Sequence, residues 1–231
     1  MMARVIVFDV NETLLDLRAL DPHFARVFGD AGVRRHWFSQ VLQAALVSTI
    51  LDRYSDFGTI AGAALEMTAA RYGVTLSAED RSQIMGTVRA LPPHPEVPAG
   101  LERLRAAGLR LATLTNSPPQ VVAAQLQNAG LTDFFEQSLS VDTVRRFKPA
   151  AEVYRMAAQS LGVEPGQLRL VAAHDWDVAG AMQAGCAAAF IARPGMVLNP
   201  LLDRPDIIGA DLQEVTEQIL QVEHRELRTE N

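Results

Sequence analysis

The stretch VIVFDVNETLL, residues 5–15, decides the fold that we expect for this chain. Its first four residues belong to the run Arg-Val-Ile-Val-Phe at residues 4–8, a short, β-branched run that is typical of a parallel strand buried on both faces. The run ends at Asp9, and polar residues follow at once. It is too short for a signal peptide or a membrane-spanning helix, so we interpret it as the first strand of a sheet.

A long helical block follows this strand. From about residue 20 to residue 91 apolar residues recur at spacings of three and four, as on one face of a helix. Residues 91–98 hold four prolines, which forbid a helix and indicate the point where the chain returns to the sheet. We therefore predict an inserted all-helical cap over residues 17–92 and a core formed by residues 1–16 and 93–231.

Strand and helix signals alternate after this return point. Strands separated by single helices imply right-handed crossovers and a mostly parallel sheet. The predicted fold class is therefore α/β, with a doubly wound, Rossmann-like core and the inserted helical cap. The predicted strands are residues 110–114, 168–172, 188–191 and 207–208. The predicted helices are residues 97–107, 118–128, 150–161, 178–184 and a last helix that ends at Leu220 before a frayed polar tail.

The composition excludes several classes of protein. With 231 residues, 48% of them hydrophobic and 21% charged, the chain is suited to a packed soluble core. A formal charge of -6 and scattered basic residues argue against nucleic-acid binding, and no apolar run is long enough to span a membrane. The single cysteine, Cys186, allows no internal disulfide, so we expect a reducing cytoplasm and a buried, unreactive thiol.

Polar side chains directly follow several predicted strands. Ligands of an open parallel sheet bind at the carboxyl ends of its strands, so these side chains form the candidate site. Asp9 could be a nucleophile that forms an ester, or it could cap a turn. Lys148 could keep that carboxylate ionised, or be a solvated surface lysine. Asp177, read as the first residue of a helix, could orient Lys148 or a water, or only stabilise the helix end. The residues after strands are Asp9, Asn11, Thr13, Thr115, Asn116, Ser117, His174, Asp175 and Asp177, and Lys148, which stands ahead of a helix, completes the set.

Four short segments carry most of these residues. They are FDVNETL at residues 8–14, LTNS at 114–117, FKP at 147–149 and DVAGAMQAG at 177–185. In this order they resemble the four motifs of the haloacid dehalogenase superfamily. Within it the chain most resembles the L-2-haloacid dehalogenases, also called type II haloacid dehalogenases, over nearly its whole length. The resemblance implies a doubly wound core, a helical cap inserted after the first motif, and a site between the two.

Two positions favour a dehalogenase over the magnesium-dependent phosphatases that make up most of the superfamily. Those phosphatases have a second aspartate two residues after the nucleophile, where this chain has Asn11, which cannot act as a general acid. They also have an acidic metal ligand where this chain has Ala173. The resemblance thus implies an enzyme without a metal or other cofactor. A Mg²⁺-dependent phosphatase of small metabolites is the alternative, and Asp175 is the residue that could rescue its metal site.

The resemblance implies hydrolytic removal of halogen from short 2-haloalkanoic acids. Asp9 attacks the α-carbon and expels halide, and water then cleaves the resulting aspartyl ester to give the 2-hydroxy acid with one inversion. Lys148 pairs with Asp9, and Asp177 positions or activates the water. The further matches are Thr13, Thr115 and Asn116, which surround the nucleophile and substrate, and Tyr154 and Trp176, for which core packing is the competing interpretation.

The chain departs from the family where an arginine of the first cap helix meets the departing halide. Phe38 occupies that position. Arg34 and Arg35 lie one turn earlier and could substitute, although we expect both to be solvated on the surface. His174 stands where the family often has Asn, and we expect it, together with Asn116, to take over part of the role of the missing arginine.

The loop of the first motif departs from the family as well. Asn11 replaces a typical Tyr or Phe, and Glu12 replaces a usual Gly. Because a net charge of -6 repels small carboxylates at long range, the site must supply its own positive potential. The expected partner is a small anionic substrate, and the resemblance allows a homodimer through an apolar cap face such as residues 44–47.

Overall fold

A computed structural model describes the backbone of residues 5–229 and the side chains of residues 5–222, so Arg4 of the predicted first strand lies outside the described residues. The strands are β1 Val5–Phe8, β2 Arg110–Thr115, β3 Gln137–Ser140, β4 Leu168–Ala172, β5 Ala187–Ile191 and β6 Ile207–Gly209. They form one parallel sheet in the order β3-β2-β1-β4-β5-β6. The predicted α/β, Rossmann-like fold is therefore confirmed.

Strand β1 lies at the centre of this sheet. Val5 pairs with Arg110 of β2 on one side and with Leu168 of β4 on the other. All four residues of β1 are fully buried, as expected for a strand covered on both faces. Because β2 and β4 flank β1 in the same direction, the loops after these three strands meet at one edge of the sheet.

The edge strand β3 was missed by the sequence analysis. Its sequence, QSLS, contains one large apolar residue, and both Gln137 and Ser138 are exposed. An edge strand has only one neighbour and less need for a continuous apolar run, so hydrophobic pattern gave no signal here. The pairing with β2 is what makes this segment a strand.

Four helices lie between β1 and the return point: α1 Asp21–Phe28, α2 Val33–Ile50, α3 Phe57–Tyr72 and α4 Ala78–Thr87. Helices α2 and α3 pack together, and Trp37 Nε1 donates a hydrogen bond to the Ala61 carbonyl at 3.0 Å. The proline-rich return point is joined to the loop after β1, because the His94 N–H donates to the Leu14 carbonyl at 2.9 Å. The division of the chain into cap and core at residues 17 and 93 stays a prediction.

Five more helices complete the fold: α5 Val97–Ala106, α6 Pro119–Asn128, α7 Ala151–Leu161, α8 Asp175–Gln183 and α9 Leu212–Thr229. Helix α8 begins at Asp175, so Asp177 lies within its first turn and is not its first residue. Helix α9 continues past Leu220 to Thr229, where a frayed tail was predicted. The residues after Leu220 include Glu, Leu and Arg, which are good helix formers. The rest of the predicted tail, residues 230–231, lies outside the described residues.

The end of α2 presents apolar side chains to solvent. Leu46, Val47, Ile50 and Leu51 are exposed, and we call these four residues the apolar α2 end. Ala45 is buried, so only part of the apolar face expected at residues 44–47 is accessible. None of the described helices combines the length and the apolar character needed to cross a membrane.

Helix α8 approaches the segment before α7 so closely that only glycine fits at position 180. A Cβ atom on Gly180 would lie 2.5 Å from Pro149 Cβ and 2.7 Å from Tyr154 Oη. Neither neighbour is the far end of a flexible chain, so a side chain here must displace α8. This close approach is what brings α8 against Tyr154.

We expect Gly180→Ala to destabilise the protein by roughly 1–3 kcal/mol through overpacking. Gly86→Ala is the matched control, since a Cβ on this helical glycine meets no atom within 4 Å. It should leave stability unchanged or raise it by up to about 1 kcal/mol. Urea unfolding of both variants measures this. Equal free energies of unfolding for the two variants would contradict the packing described here.

Candidate active site

The Asp9 carboxylate lies at the carboxyl end of β1 and is 5% exposed. Its backbone N–H donates to the Val171 carbonyl of β4 at 3.0 Å, which extends the sheet by one residue. The loop then turns back, so that Thr13 Oγ1 donates to Asp9 Oδ2 at 2.7 Å. Thr13 Oγ1 in turn accepts the N–H of Ala173 at 3.0 Å. The structure thus places Thr13 beside Asp9 and ties both to β4.

The ammonium group of Lys148 joins three parts of the site. Its Nζ donates to Asp9 Oδ1 at 2.8 Å, to Asp177 Oδ2 at 2.6 Å and to the Leu114 carbonyl at 3.0 Å. An ammonium has three N–H donors, so all of them are used. Lys148 is 2% exposed, and the interpretation as a solvated surface lysine is wrong.

The carboxylate of Asp177 is fully buried and accepts on both oxygens. Besides Lys148 at Oδ2, Tyr154 Oη donates to its Oδ1 at 2.6 Å. Tyr154 is also fully buried, so it is a core residue and a site residue at the same time. The structure therefore brings Asp9, Lys148, Asp177 and Tyr154 together in one chain of hydrogen bonds.

Burial and charge act on these groups together. Burial opposes ionisation of Asp9, but the charges of Lys148 and His174 outweigh it and hold the pKa of Asp9 well below its usual range. Burial also opposes the charged form of Lys148, but Asp177 and Asp9 outweigh it and raise its pKa. For Asp177 burial outweighs the attraction of Lys148, and the pKa is raised. Asp9 is therefore an ionised carboxylate beside a charged ammonium.

His174 supplies a second cation next to Asp9. Its Nε2 lies 3.0 Å from Glu12 Oε2, and its Nδ1 lies 3.3 Å from Asp9 Oδ2. Burial lowers the pKa of an imidazole, but the close contacts with the charged Asp9 and Glu12 carboxylates outweigh it and raise the pKa of His174 to about 10. The ring stacks on Trp176 at 5.0 Å between centroids, and that of Phe38 lies 6.3 Å away. His174 is thus a buried imidazolium with aromatic neighbours.

The Nδ1 atom of His174 is a buried donor without a hydrogen-bond partner among residues 5–222. Its contact with Asp9 Oδ2 has the distance of an ion pair but not the alignment of a hydrogen bond. Glu12, which holds the opposite nitrogen, was not recognised in the sequence as a site residue. The available signal was its position in the same strand-end loop as Asp9.

The end of β2 and the segment after it supply further polar groups, and Thr115 is the last residue of β2, one residue beyond the predicted strand end. Asn116 Oδ1 accepts the backbone N–H of Lys148 at 3.1 Å, and Thr115 Oγ1 accepts the N–H of Ser117 at 3.1 Å. Thr115, Asn116 and Ser117 are all buried. Of these three residues Asn116 contacts Lys148 directly, and Thr115 and Ser117 flank Asn116 and are joined to each other by a hydrogen bond.

A glutamine that the sequence analysis missed fixes the amide of Asn11. Gln125 Nε2 donates to Asn11 Oδ1 at 2.9 Å and to the Val88 carbonyl at 2.8 Å. Asn11 Nδ2 donates in turn to Ser117 Oγ at 3.3 Å. Gln125 is fully buried in α6, and a glutamine at an inward-facing position of a helix was the only signal for it. The side chain of Asn11 is therefore held at both ends of its amide.

Cavities border these groups between the helical block and the sheet. A cavity of about 270 Å³ reaches Lys148 and Asn116. Trp176 and the α2 residues Ser39 and Leu42 also line it. A neighbouring cavity of about 360 Å³ has Asn11, Ser117, Phe38 and Phe57 among its lining residues. Asp175 is half-buried in a wider cleft of about 550 Å³ beside His174.

The expectation that Arg34 is solvated is wrong, whereas Arg35 is indeed exposed. Arg34 is 5% exposed, and its Nε donates to Asp21 Oδ1 at 2.5 Å. Its Nη1 lies 3.7 Å from Glu12 Oε1. Arg34 was misread because α2 has apolar residues on several sides, so its sequence does not show which face is inward.

A family model described as haloacid dehalogenase-like hydrolase matches residues 3–185. The chain belongs to this hydrolase family. It is 33% identical over 214 residues to the (S)-2-haloacid dehalogenase of Pseudomonas sp. (strain YL), with 92% of each chain covered. The structure of L-2-haloacid dehalogenase from Xanthobacter autotrophicus superposes with a TM-score of 0.88 at 26% identity, covering 94% of this chain and 98% of that one. A structure of that enzyme with chloropropionic acid covalently bound has a TM-score of 0.87 at the same identity and coverage.

The resemblance noted in the sequence is thus confirmed for this haloacid dehalogenase-like hydrolase. The matched residues, 3–185, contain all four motif segments. The likeness to the dehalogenase structures covers 94% of the chain and so includes the helical block as well as the sheet. The family membership and the geometry at Asp9 therefore agree.

The imidazolium of His174 gives this hydrolase a specific dependence of stability on pH. Its pKa rises on folding from an ordinary 6.5 to about 10. The stability gained from protonation is therefore fully present below about pH 6.5 and is lost as the pH rises towards 10. The free energy of unfolding of the wild type should fall more steeply between about pH 7 and pH 9 than that of His174→Gln. Urea titrations across this range measure both slopes, and equal slopes would rule out the raised pKa.

Proposed function

We propose that this protein is a hydrolytic dehalogenase of short 2-haloalkanoic acids, of the (S)-2-haloacid dehalogenase type. The observation that carries the proposal is an ionised Asp9, flanked by Lys148 and His174 beneath cavities between the helical block and the sheet. Its relatives among the (S)-2-haloacid dehalogenases of Pseudomonas sp. (strain YL) and Xanthobacter autotrophicus support it. So does the related structure with chloropropionic acid covalently bound.

The reaction has two displacements. In the first, a carboxylate oxygen of Asp9 attacks the α-carbon opposite the halogen, the C–O ester bond forms, and the halide leaves with the electron pair of the C–X bond. In the second, water attacks Cγ of Asp9, and the bond between Cγ and the ester oxygen breaks. The 2-hydroxy acid leaves with that oxygen, which came from Asp9. The stereocentre is therefore inverted once, and halide and one proton are released.

Lys148 and Thr13 keep Asp9 ionised and oriented for the attack. Each donates to a different carboxylate oxygen, at 2.8 Å and 2.7 Å. Asp177 already accepts from Lys148 and Tyr154 and is fully buried, so we assign it the role of orienting Lys148 rather than that of a free base for water.

The substrate lies with its carboxylate towards Thr115 and Asn116 and with its chain against the apolar wall of the cavities. Asn116 lines the same cavity as Lys148. Trp176 and Phe38 are the aromatic groups nearest to His174, so they bound the space on the halide side. Asn11 contributes through its side-chain amide, which is fixed by hydrogen bonds and lines the cavity of about 360 Å³.

The halide leaves beside His174. The imidazolium has a buried Nδ1 donor that makes no hydrogen bond to residues 5–222 and lies 3.3 Å from Asp9 Oδ2. An imidazolium with an unused N–H donor at this place can stabilise the negative charge that moves from Asp9 to the leaving halide. Phe38, in the position of the family's arginine, supplies no charge, and His174 replaces part of it.

No metal takes part in the proposed reaction, because the residues do not fit Mg²⁺. Lys148 Nζ occupies the position between the carboxylates of Asp9 and Asp177, at 2.8 Å and 2.6 Å, where a cation would bind. The oxygen of Asn11 already accepts a hydrogen bond, and Ala173 has no side-chain oxygen. Mg²⁺ needs near-octahedral oxygen ligands, which this donor set does not provide. The donor set therefore favours dehalogenation over the phosphatase alternative.

Two properties of the protein stay predictions. A homodimer would cover the apolar α2 end, whose four side chains are exposed. A reducing cytoplasm suits Cys186, a buried free thiol whose pKa is raised by burial to about 11.

Halide release from the two enantiomers of 2-chloropropionate in the presence of EDTA tests the proposed function. We expect release from the (S)-enantiomer only, with formation of lactate of the opposite configuration. Asp9→Asn should abolish release, because an amide cannot form the ester. Asp175→Asn is the matched control and should leave release unchanged, since this side chain lies outside the hydrogen bonds around Asp9.

Three results would contradict the proposal. They are release that requires Mg²⁺, equal release by Asp9→Asn, and Mg²⁺-dependent turnover of p-nitrophenyl phosphate without any dehalogenation. The last would identify the phosphatase. An anion that binds without turnover of either substrate would identify a binding protein.

A further inference from the structure

A row of alternating charges connects the helical block to the nucleophile. Arg34 of α2 lies 3.7 Å from Glu12 Oε1, and the other oxygen of Glu12 lies 3.0 Å from His174 Nε2. The opposite nitrogen of His174 lies 3.3 Å from Asp9 Oδ2. Arg34, His174 and Asp9 are buried, and the side chain of Glu12 is 16% exposed. Little water is therefore present to screen these charges.

The middle of this row is held in an unusual backbone conformation. Glu12 has a φ of 62°, and only two other non-glycine residues in the described part of the chain have positive φ. A glycine would adopt this turn without strain, whereas a side chain does so at a cost. Glutamate at this position supplies a carboxylate, and one of its oxygens faces Arg34 while the other faces His174.

The guanidinium of Arg34 is itself fixed on two sides. Its Nε donates to Asp21 Oδ1 at 2.5 Å while its Nη1 faces Glu12. A planar guanidinium can serve two carboxylates in fixed directions at once, which a single ammonium point charge does less well. Arg34 thus joins α1, α2 and the loop after β1 through one side chain.

We propose that Arg34 is a positioning residue of the reaction, acting through Glu12 to hold His174 against Asp9. The inference rests on the proposed function in one respect, namely that His174 receives the departing halide. Arg34 does not contact the reacting atoms. Its contribution is to keep the Glu12 carboxylate turned towards His174 Nε2, so that Nδ1 stays directed at Asp9.

Turnover measurements in a double-mutant cycle test this role. The variants are Arg34→Met, His174→Gln and the double variant, with Arg35→Met as the control for loss of a neighbouring, exposed arginine. Arg34→Met should lower kcat for (S)-2-chloropropionate about tenfold with little change in KM. This is about the effect of misplacing one charge-assisted hydrogen bond, here the bond between Glu12 and His174. In the His174→Gln background the same change should have almost no effect. Arg35→Met should behave as the wild type.

Halide binding gives a second reading that does not need turnover. Bromide quenches tryptophan fluorescence, and Trp176 stacks on His174, so saturable quenching that is lost in Trp176→Phe reports bromide at this place. We expect about tenfold weaker bromide binding in Arg34→Met and unchanged binding in Arg35→Met. If Arg34→Met does not fold, Arg34→Gln, which can still donate to Asp21, replaces it in both measurements.

The outcomes separate the inference from the proposed function. Equal effects of Arg34→Met on kcat with and without His174 would overturn the positioning role, because they would show that Arg34 acts independently of His174. Normal bromide binding and turnover in Arg34→Met would overturn it as well. Bromide binding that depends on Arg34 in a protein without dehalogenase activity would support the row of charges and reject the proposed function.

Discussion

The buried ammonium of Lys148 is the group on which the site depends. An ammonium removed from water is costly by several kcal/mol unless its donors are paired, and here they are paired with Asp9, Asp177 and the Leu114 carbonyl. These partners follow or belong to three different strands, β1, β4 and β2, which are distant in sequence. The charge is therefore satisfied only when these strands lie side by side, so fold and site form together. The bond from Lys148, together with that from Thr13, keeps Asp9 ionised and fixed in direction.

The two cations beside Asp9 also affect where negative charge is stabilised during the reaction. Lys148 and His174 both pair with Asp9 before the attack, which suits a carboxylate of lowered pKa. When the ester forms, Asp9 loses its charge, and the departing halide carries that charge away. The His174 imidazolium, whose Nδ1 makes no hydrogen bond to residues 5–222, can then stabilise the halide, whereas Lys148 stays paired with Asp177. In this way a protein with a net charge of -6 can bind an anionic substrate at one place.

The sequence predicted the features that follow from position along a strand. The apolar run before Asp9 predicted β1, the rule that strand ends converge predicted that Asp9 and Asp177 would be neighbours, and the resemblance to the haloacid dehalogenase motifs added Lys148. Prediction from the sequence failed where a contact depends on tertiary packing. The polar edge strand β3 exists through its pairing with β2, and Gln125 and Arg34 are polar residues turned inward by the packing of their helices. No period or motif records such a turn, so these residues could be assigned only from the structure.

The aspartyl ester is the intermediate on which the proposed mechanism depends, and a single turnover in water labelled with oxygen-18 tests for it most directly. With the protein in excess over (S)-2-chloropropionate, water attacks Cγ of Asp9, so the product should carry an unlabelled hydroxyl oxygen. The label should appear in the peptide that contains Asp9, as measured by mass spectrometry. Labelled product together with an unlabelled Asp9 peptide would mean that water attacks the substrate directly, and would contradict the account.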